Sequence, residues 1–348
     1  MSGSVAIVGA GLGGLAAARE LVANGRSVVV FDKGRSSGGR VATRRGAGFA
    51  ADHGAQFFTV RDTAFAAALE PLITSGAAPG AVSGAVSRWH GPFRTLSNGR
   101  FGPDPRPGTE RFVGVPGMSA LPRALADGLH VRTGARVERL VHTDGRWSLV
   151  ATDLASGALH THGSFDELVL ALPTAQAHAL LVASALTSPL VAECAELADA
   201  LAPCVCALAT FAEQVPSAAG GLFVDDAVLG WAAHDGGKPG RSGAATYVLH
   251  ANATWSRANV ERDPLAAAHE LVVALERVLD TQLPPLVHLD GHRWRYALAR
   301  NEAQGDAQRE PCAVDRGLRL AVCGDAFTGG RVEGAFVSGR AAAAALLG

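Results

Sequence analysis

At 348 residues, 48% of them apolar, the chain is long enough for two domains or for one domain with an insertion, and it can bury a sizeable core. Its 31 Lys and Arg against 32 Asp and Glu leave a formal charge of −1, which excludes the basic field that nucleic acid requires. No run is long enough to span a bilayer, the first strand starts too near Met1 to leave room for a signal peptide, and the five cysteines include no C-x-x-C, so a cytoplasmic enzyme is expected.

Residues 4–8 form a short apolar run that reads as a buried strand. Gly9, Gly11 and Gly14 follow at the G-x-G-x-x-G spacing, and an Ala-rich helix begins at once from Leu12. Gly9 allows the tight turn, Gly11 lets a pyrophosphate touch backbone, and Gly14 lets helix and strand pack, so the helix N-terminus faces the phosphates. A second strand over 27–31 ends in Asp32, placed for a ribose hydroxyl with Lys33 beside it. Packing alone would explain the glycines; strand, helix and acid together favour a dinucleotide.

The next motifs decide which one. Gly38-Gly39-Arg40 after the acid, then Asp52-His53-Gly54-Ala55-Gln56-Phe57-Phe58, resemble flavoproteins of the glutathione-reductase and amine-oxidase type. In those proteins a Gly-Gly-Arg follows the ribose carboxylate and a Gly-Ala stretch runs under the flavin. The resemblance implies FAD, with Gly39, Arg40, Ala55 and Gln56 at the cofactor.

A helix is expected over 62–73, then a Gly/Ala/Ser/Pro stretch to Val86, with Trp89, Phe93 and Phe101 among turn residues. Residues 113–126 turn into a helix and Leu129 to Val131 into a strand. Val137 follows where similar flavoproteins pair a Val backbone with adenine; a hairpin that only extends the sheet is the alternative. A β-meander (147–152, 158–161) leads to a buried strand ending at Pro173, helices near 175–185 and 190–201, and strands at 205–211, 228–233 and 244–250. An amphipathic helix with Pro264 at its start runs to Leu279. A strand at 286–288 is expected to pass through Asp290-Gly291 into His292-Arg-Trp294-Arg-Tyr296. Cys204 and Cys206 share one strand face as buried packing, and His160-x-His162 lacks a third ligand, so no metal is expected.

Near the C-terminus, strand 318–323 runs into Gly324-Asp325 and a helix holding Val332, Gly334 and Ala335. In similar flavoproteins this carboxylate binds a ribityl hydroxyl and the helix aims its positive end at the flavin ring, which stabilises the reduced anion. No cysteine lies between Thr328 and Gly334, where some relatives attach flavin, so non-covalent FAD is expected. The fold expected is α/β: a Rossmann-type FAD-binding domain (1–60, 111–172, 312–348) with an inserted α+β substrate domain on an antiparallel sheet (61–110, 173–311).

Taken together, Gly38–Arg45, Asp52–Thr59, Gly114–Met118, His292-x-Trp-x-Tyr-Ala and Val332-Glu-Gly-Ala-x-x-Ser-Gly resemble the renalases, in their bacterial form, within the flavin amine-oxidase superfamily. That resemblance implies an oxidase taking a hydride from the 2- or 6-dihydro isomers of NAD(P)H, giving NAD(P)+ and, with O2, hydrogen peroxide. It leaves isomer and NAD or NADP preference open. An amine oxidase commonly holds a water at the flavin with a lysine and frames the amine between aromatic rings. Here only Lys33 and Lys238 exist, the latter in the turn-like Asp235-Gly-Gly-Lys-Pro-Gly, and Arg331 and Val332 stand where an aromatic wall is expected. Pocket candidates are Phe57, Phe58, His250 and Trp294, with Tyr247 and Tyr296 behind them; His250 could bond a carboxamide. No side chain is assigned as catalytic. The competing readings are an amine oxidase or desaturase on another small substrate, and a flavin-loaded redox sensor without turnover.

Overall fold

A computed structural model describes residues 3–46, 49–73, 84–198, 201–217, 219–299 and 309–348. Six strands form the first sheet, in the order Cys312–Asp315, Leu320–Cys323, Glu167–Leu170, Ser4–Val8, Ser27–Phe31, Val131–Arg132. Every neighbouring pair is parallel except the first two strands. A strand inside such a sheet is covered on both faces and must be apolar throughout, as Val5-Ala-Ile-Val is. Its side chains alternate: Val5 and Ile7 pack with helix Leu12–Ala23 and helix Val332–Leu347, while Ala6 and Val8 face Leu140, Trp147 and Leu149 of the three-stranded antiparallel sheet formed by residues 135–165. The two helices touch backbone to backbone, since a Cβ on Gly339 would lie 1.9 Å from the Gly13 carbonyl oxygen.

The second sheet has seven strands, ordered Leu286–Ala299, Leu201–Phe211, Thr246–Ala251, Leu229–His234, Gly221–Val224, Phe93–Ser97, Arg100–Gly102. It is antiparallel apart from the parallel pair of Gly221–Val224 with Phe93–Ser97. One face, with Val205, Ala207, Tyr247 and Leu249, packs on helix Pro264–Leu279, which the Asp263 carboxylate caps by accepting from Ala266 N–H at 2.9 Å. On the other face Cys206, Leu208 and Val248 pack against Ala51.

The structure redraws several expected elements. The helix expected over 62–73 spans Thr63–Leu69, with Asp62 capping Phe65 N–H; Pro71 lies in the short 3-10 turn that follows. Residues 74–83, most of the expected Gly/Ala/Ser/Pro stretch, lie outside the described residues. Phe93 and Phe101 sit in strands rather than turns, and the strand expected at 129–131 is Val131–Arg132. Asp290-Gly291 makes no turn. The strand continues from Leu286 to Ala299, and Gly291 is required because a Cβ there would lie 1.9 Å from the Pro264 carbonyl oxygen, at the start of the helix packed on it.

Candidate active site

A cavity of about 1500 Å3 is lined by residues from both sheets, above the ~1,000 Å3 upper end of ordinary small-molecule sites and so roomy enough for a cofactor and a substrate together. Gly9, Gly11, Leu12, Asp32, Lys33, Gly39, Arg40, Ala55, Gln56, Val137, Asp325, Val332 and Ala335 all line it. The other two cofactor candidates pack behind the wall: a Cβ on Gly14 would meet the Gly9 carbonyl oxygen at 1.9 Å, and one on Gly334 would meet Thr328 Oγ1 at 2.4 Å.

The nucleotide end is built from backbone. Gly9 has φ +108°, and a Cβ there would strike the Ala171 carbonyl oxygen at 2.3 Å, so no other residue fits. Gly11 has no atom within 4 Å of its would-be Cβ, because that direction is open cavity. The helices beginning at Leu12 and Val332 carry no side-chain cap at Gly11 or Arg331, which leaves N–H groups at both N-termini available to a ligand. Asp32 is held in place by Ala10 N–H and Gly34 N–H, each donating to a different carboxylate oxygen at 2.6 Å. A strand irregularity between Val137 and Arg139 interrupts pairing where Val137 meets the cavity. Arg40 clamps Asp325 with both terminal guanidinium nitrogens, at 3.0 and 2.5 Å, and also donates to the Ala297 carbonyl at 2.9 Å, tying three distant segments together.

The other end is aromatic. Strand register sets Trp231 opposite His250, His250 opposite Cys206, and Cys206 opposite His292, a row running across four strands. Trp231, His250, Cys204, His292, Trp294, Tyr296, Phe57 and Phe58 line the cavity there. His53 stacks on Trp294 at 5.1 Å and meets His292 edge-on at 4.7 Å, while Trp294 Nε1 donates to the His53 carbonyl at 2.8 Å. Loss of water pushes the imidazoles down: His53 to about 3, helped by His292 and Arg44; His250 to about 4, helped by Lys238; His292 to about 4, helped by Arg44. All three rings are neutral at neutral pH. Burial raises the Cys204 thiol to about 12, so it is no nucleophile.

One expectation needs correction. Tyr247 does not line the cavity. It sits three residues from His250 on the same strand, so alternation turns it to the opposite face, where its hydroxyl accepts from Val215 N–H and bonds Gln214 Oε1, both at 3.1 Å. Lys238 does follow a turn, Asp235–Gly237, but it points into the protein. Its side chain is fully buried, 2.7 Å from Asp235 Oδ1, 3.3 Å from Asp52 Oδ2 and 3.3 Å from Gln56 Oε1. The Asp235–Gly237 turn folds so tightly that a Cβ on Gly236 would lie 1.9 Å from the Ala244 carbonyl oxygen, and this sends the lysine inward. Arg241 completes a four-charge cluster by bonding Asp52 Oδ2 at 2.5 Å. Lys238 does not line the cavity, but its partner Gln56 does. Arg293 and Arg295 reach Glu261, as surface charges would. Among the described residues, no group of three or more His, Cys, Asp or Glu could hold a metal, the cysteines are free, and no helix is long and apolar enough to cross a membrane.

Comparison with known proteins agrees with this geometry. A model for flavin containing amine oxidoreductases matches residues 104–347, and one for NAD(P)-binding Rossmann-like domains matches residues 7–70. The chain belongs to the flavin-containing amine oxidoreductase family. FAD is its cofactor, and the uncapped helix ends, the opening at Gly11 and the clamped Asp325 fit that dinucleotide. A proposed flavin-containing monoamine oxidase of Mycobacterium tuberculosis, AofH, is 48% identical over 67 residues, which span 19% of this chain and 15% of that protein. Over the full length the chain is similar in fold to a proposed protoporphyrinogen oxidase from Exiguobacterium sp. 255-15, at TM-score 0.71 and 15% identity, covering 99% of this chain and 98% of that one. It is similar also to a putrescine oxidase solved with putrescine, at TM-score 0.67 and 14% identity, covering 100% and 99%.

The residues missed from sequence are His53 as a pocket wall, Trp231, His292 and the buried Lys238 cluster. Alternation from His250 predicts that Val248 shares its face, but only strand register brings Trp231 beside it.

Proposed function

We propose that this FAD-dependent oxidoreductase is a renalase-like oxidase, which takes a hydride from the 2- or 6-dihydro isomers of NAD(P)H and returns NAD(P)+, with O2 accepting the electrons as H2O2. The observation that supports this reading is the absence of an uncommitted carboxylate in the aromatic half of the cavity, among the described residues. Four carboxylates line the cavity. Asp32 is bonded by two backbone N–H groups, Glu138 by Arg136, Asp325 by Arg40, and Glu333 by the N–H groups of Arg61 and Asp62 at 2.5 and 2.7 Å. A protonated amine would find no counter-ion there. A dihydropyridine is neutral in its ring and becomes an aromatic pyridinium on losing one hydride, so no side chain need take a proton.

When bound, FAD supplies the two-electron acceptor. The chain's part is placement: Gly9, Gly11, Leu12, Asp32, Lys33, Gly39, Arg40, Ala55, Gln56, Val137, Asp325, Val332 and Ala335 would hold the cofactor. Phe57, Trp231, His250 and Trp294 would bracket a flat ring and keep water out. Residues 1–60, 111–172 and 312–348 would form the cofactor unit, and 61–110 with 173–311 the substrate unit. The family model over residues 104–347 favours a second reading, oxidation of an amine. Anaerobic mixing with partly borohydride-reduced NAD+, which contains all the dihydro isomers, separates the two. The flavin band bleaches if the first reading holds; bleaching by putrescine or another amine, with no response to the isomer mixture, refutes it.

A further inference from the structure

Three polar atoms on the aromatic wall are buried without a hydrogen-bond partner: His53 Nδ1, His250 Nε2 and Trp231 Nε1. Each such atom costs about 1–3 kcal/mol while unpaired, so their concentration in one wall calls for a ligand that pairs them. Two of them are complementary. Trp231 and His250 stand directly opposite on paired strands, so their side chains leave the sheet side by side. Indole Nε1–H can only donate. A His250 ring N–H donates to the His53 carbonyl, and since Nε2 has no partner the donor is Nδ1. A neutral ring with its proton on Nδ1 carries a lone pair on Nε2, which can only accept.

We propose that Trp231 and His250 form a subsite for a primary carboxamide on the substrate ring, with Trp231 Nε1–H donating to the amide oxygen and His250 Nε2 accepting from the amide NH2. The proposal rests on the preceding reading in taking a nicotinamide as the ligand. A carboxylate would set its charge against the His250 lone pair, and an ester or ketone would leave Nε2 unpaired. The pair thus selects an amide, and by fixing the amide it fixes which edge of the ring points towards Trp294. Cys206, the next residue in the row, is wholly buried and apolar in its packing, so it offers the amide no competing partner.

The test uses the FAD-loaded protein and oxidised ligands, so it does not require turnover. NAD+ and its 3-acetylpyridine analogue, which keeps the carbonyl but lacks the NH2, are titrated while the flavin absorbance is followed. The wild type should bind NAD+ about tenfold more tightly, the worth of one hydrogen bond of this kind. His250→Phe should bring that ratio to about one. Trp231→Phe should weaken both ligands about equally and leave the ratio standing. Equal binding of the two by the wild type, or no binding of NAD+, overturns the proposal whatever the variants do, as does a ratio that His250→Phe leaves unchanged. If the ratios behave as expected but the dihydro isomers fail to bleach the flavin, the subsite stands and the reaction reading falls.

Discussion

Replacing Lys238 by Met keeps the unbranched stem and removes the charge. The carboxylates of Asp52 and Asp235 are then left with one guanidinium, 2.5 Å from Asp52 Oδ2 but 4.0 Å from Asp235 Oδ2. All four side chains are buried, so water cannot compensate, and breaking such a pair costs about 3–5 kcal/mol. At about 2–4 °C per kcal/mol, a slope that belongs to somewhat smaller chains, this is a fall in Tm on the order of 5–15 °C. The pH dependence distinguishes charge from packing. Burial already holds Asp235 above its ordinary 3.8, against the pull of Lys238 and Arg241, whereas for Asp52 burial is outweighed by Lys238, Arg241 and the hydrogen bonds from Met118 N–H and Thr43 taken together, which hold it below. Without the lysine Asp235 rises further. A carboxyl raised in the folded state binds its proton more tightly there than in the unfolded chain. Stability therefore falls as pH rises from 3.8 through the raised value, and the deficit of the variant should be smallest in acid and largest at neutral pH. Urea melts followed by circular dichroism from pH 5 to 8 measure it. Lys238→Met combined with Asp235→Asn should recover most of the loss. A deficit that is the same at every pH, or no recovery in the double variant, refutes the electrostatic account.

Gly11→Ala and Gly14→Ala should fail differently. The first adds a methyl to open cavity, so the protein should fold with the Tm of the flavin-free wild type yet purify without yellow colour; the second drives a Cβ into the Gly9 carbonyl and should lower Tm below that value. Purification of Gly11→Ala with a full complement of flavin would refute that part of the cofactor assignment. Arg40→Met strips Asp325 of its bidentate partner, and FAD affinity measured by dialysis should fall at least about tenfold, a change worth ~1.4 kcal/mol. His53 and His250 titrate at about 3 and 4 when folded, against 6.5 when free. Depressed histidines stabilise fully above 6.5 and lose that contribution as pH falls towards 4, because the unfolded chain takes up protons first. Together they contribute a slope of about 2.7 kcal/mol per pH unit near pH 5, which His250→Phe should reduce by about half. A slope that ignores the substitution would show that His250 titrates normally.

The parts of this molecule legible in its sequence are those whose cause is local. Gly14 answers to the Gly9 carbonyl inside one strand-turn-helix unit, the G-x-G-x-x-G spacing marks that unit as a whole, and the Val5 to Val8 run declares a strand covered on both sides. Helix Pro264–Leu279 carries its own start signal in Asp263-Pro264. Misreadings arose where the cause lay elsewhere in the chain. Gly291 reads as a turn because the helix that demands it begins 27 residues earlier, and the turn at Lys238 gives no sign of its buried cluster because Asp52 lies 186 residues away. Tyr247 differs, because its cause is local: three residues from His250 on one strand, it turns to the opposite face.

The first strand of the parallel sheet has consequences for the order in which this protein can assemble. Ser4–Val8 is synthesised well before Glu167–Leu170, one of its two sheet neighbours, and the clamp that closes the nucleotide site joins Arg40 to Asp325, 285 residues apart. Contacts so distant along the chain form late, after their loop-closure entropy has been met. A nascent polypeptide halted before residue 325 has the phosphate loop but lacks its closing carboxylate. Flavin capture therefore waits for Asp325, and chains terminated before that residue should leave the ribosome empty.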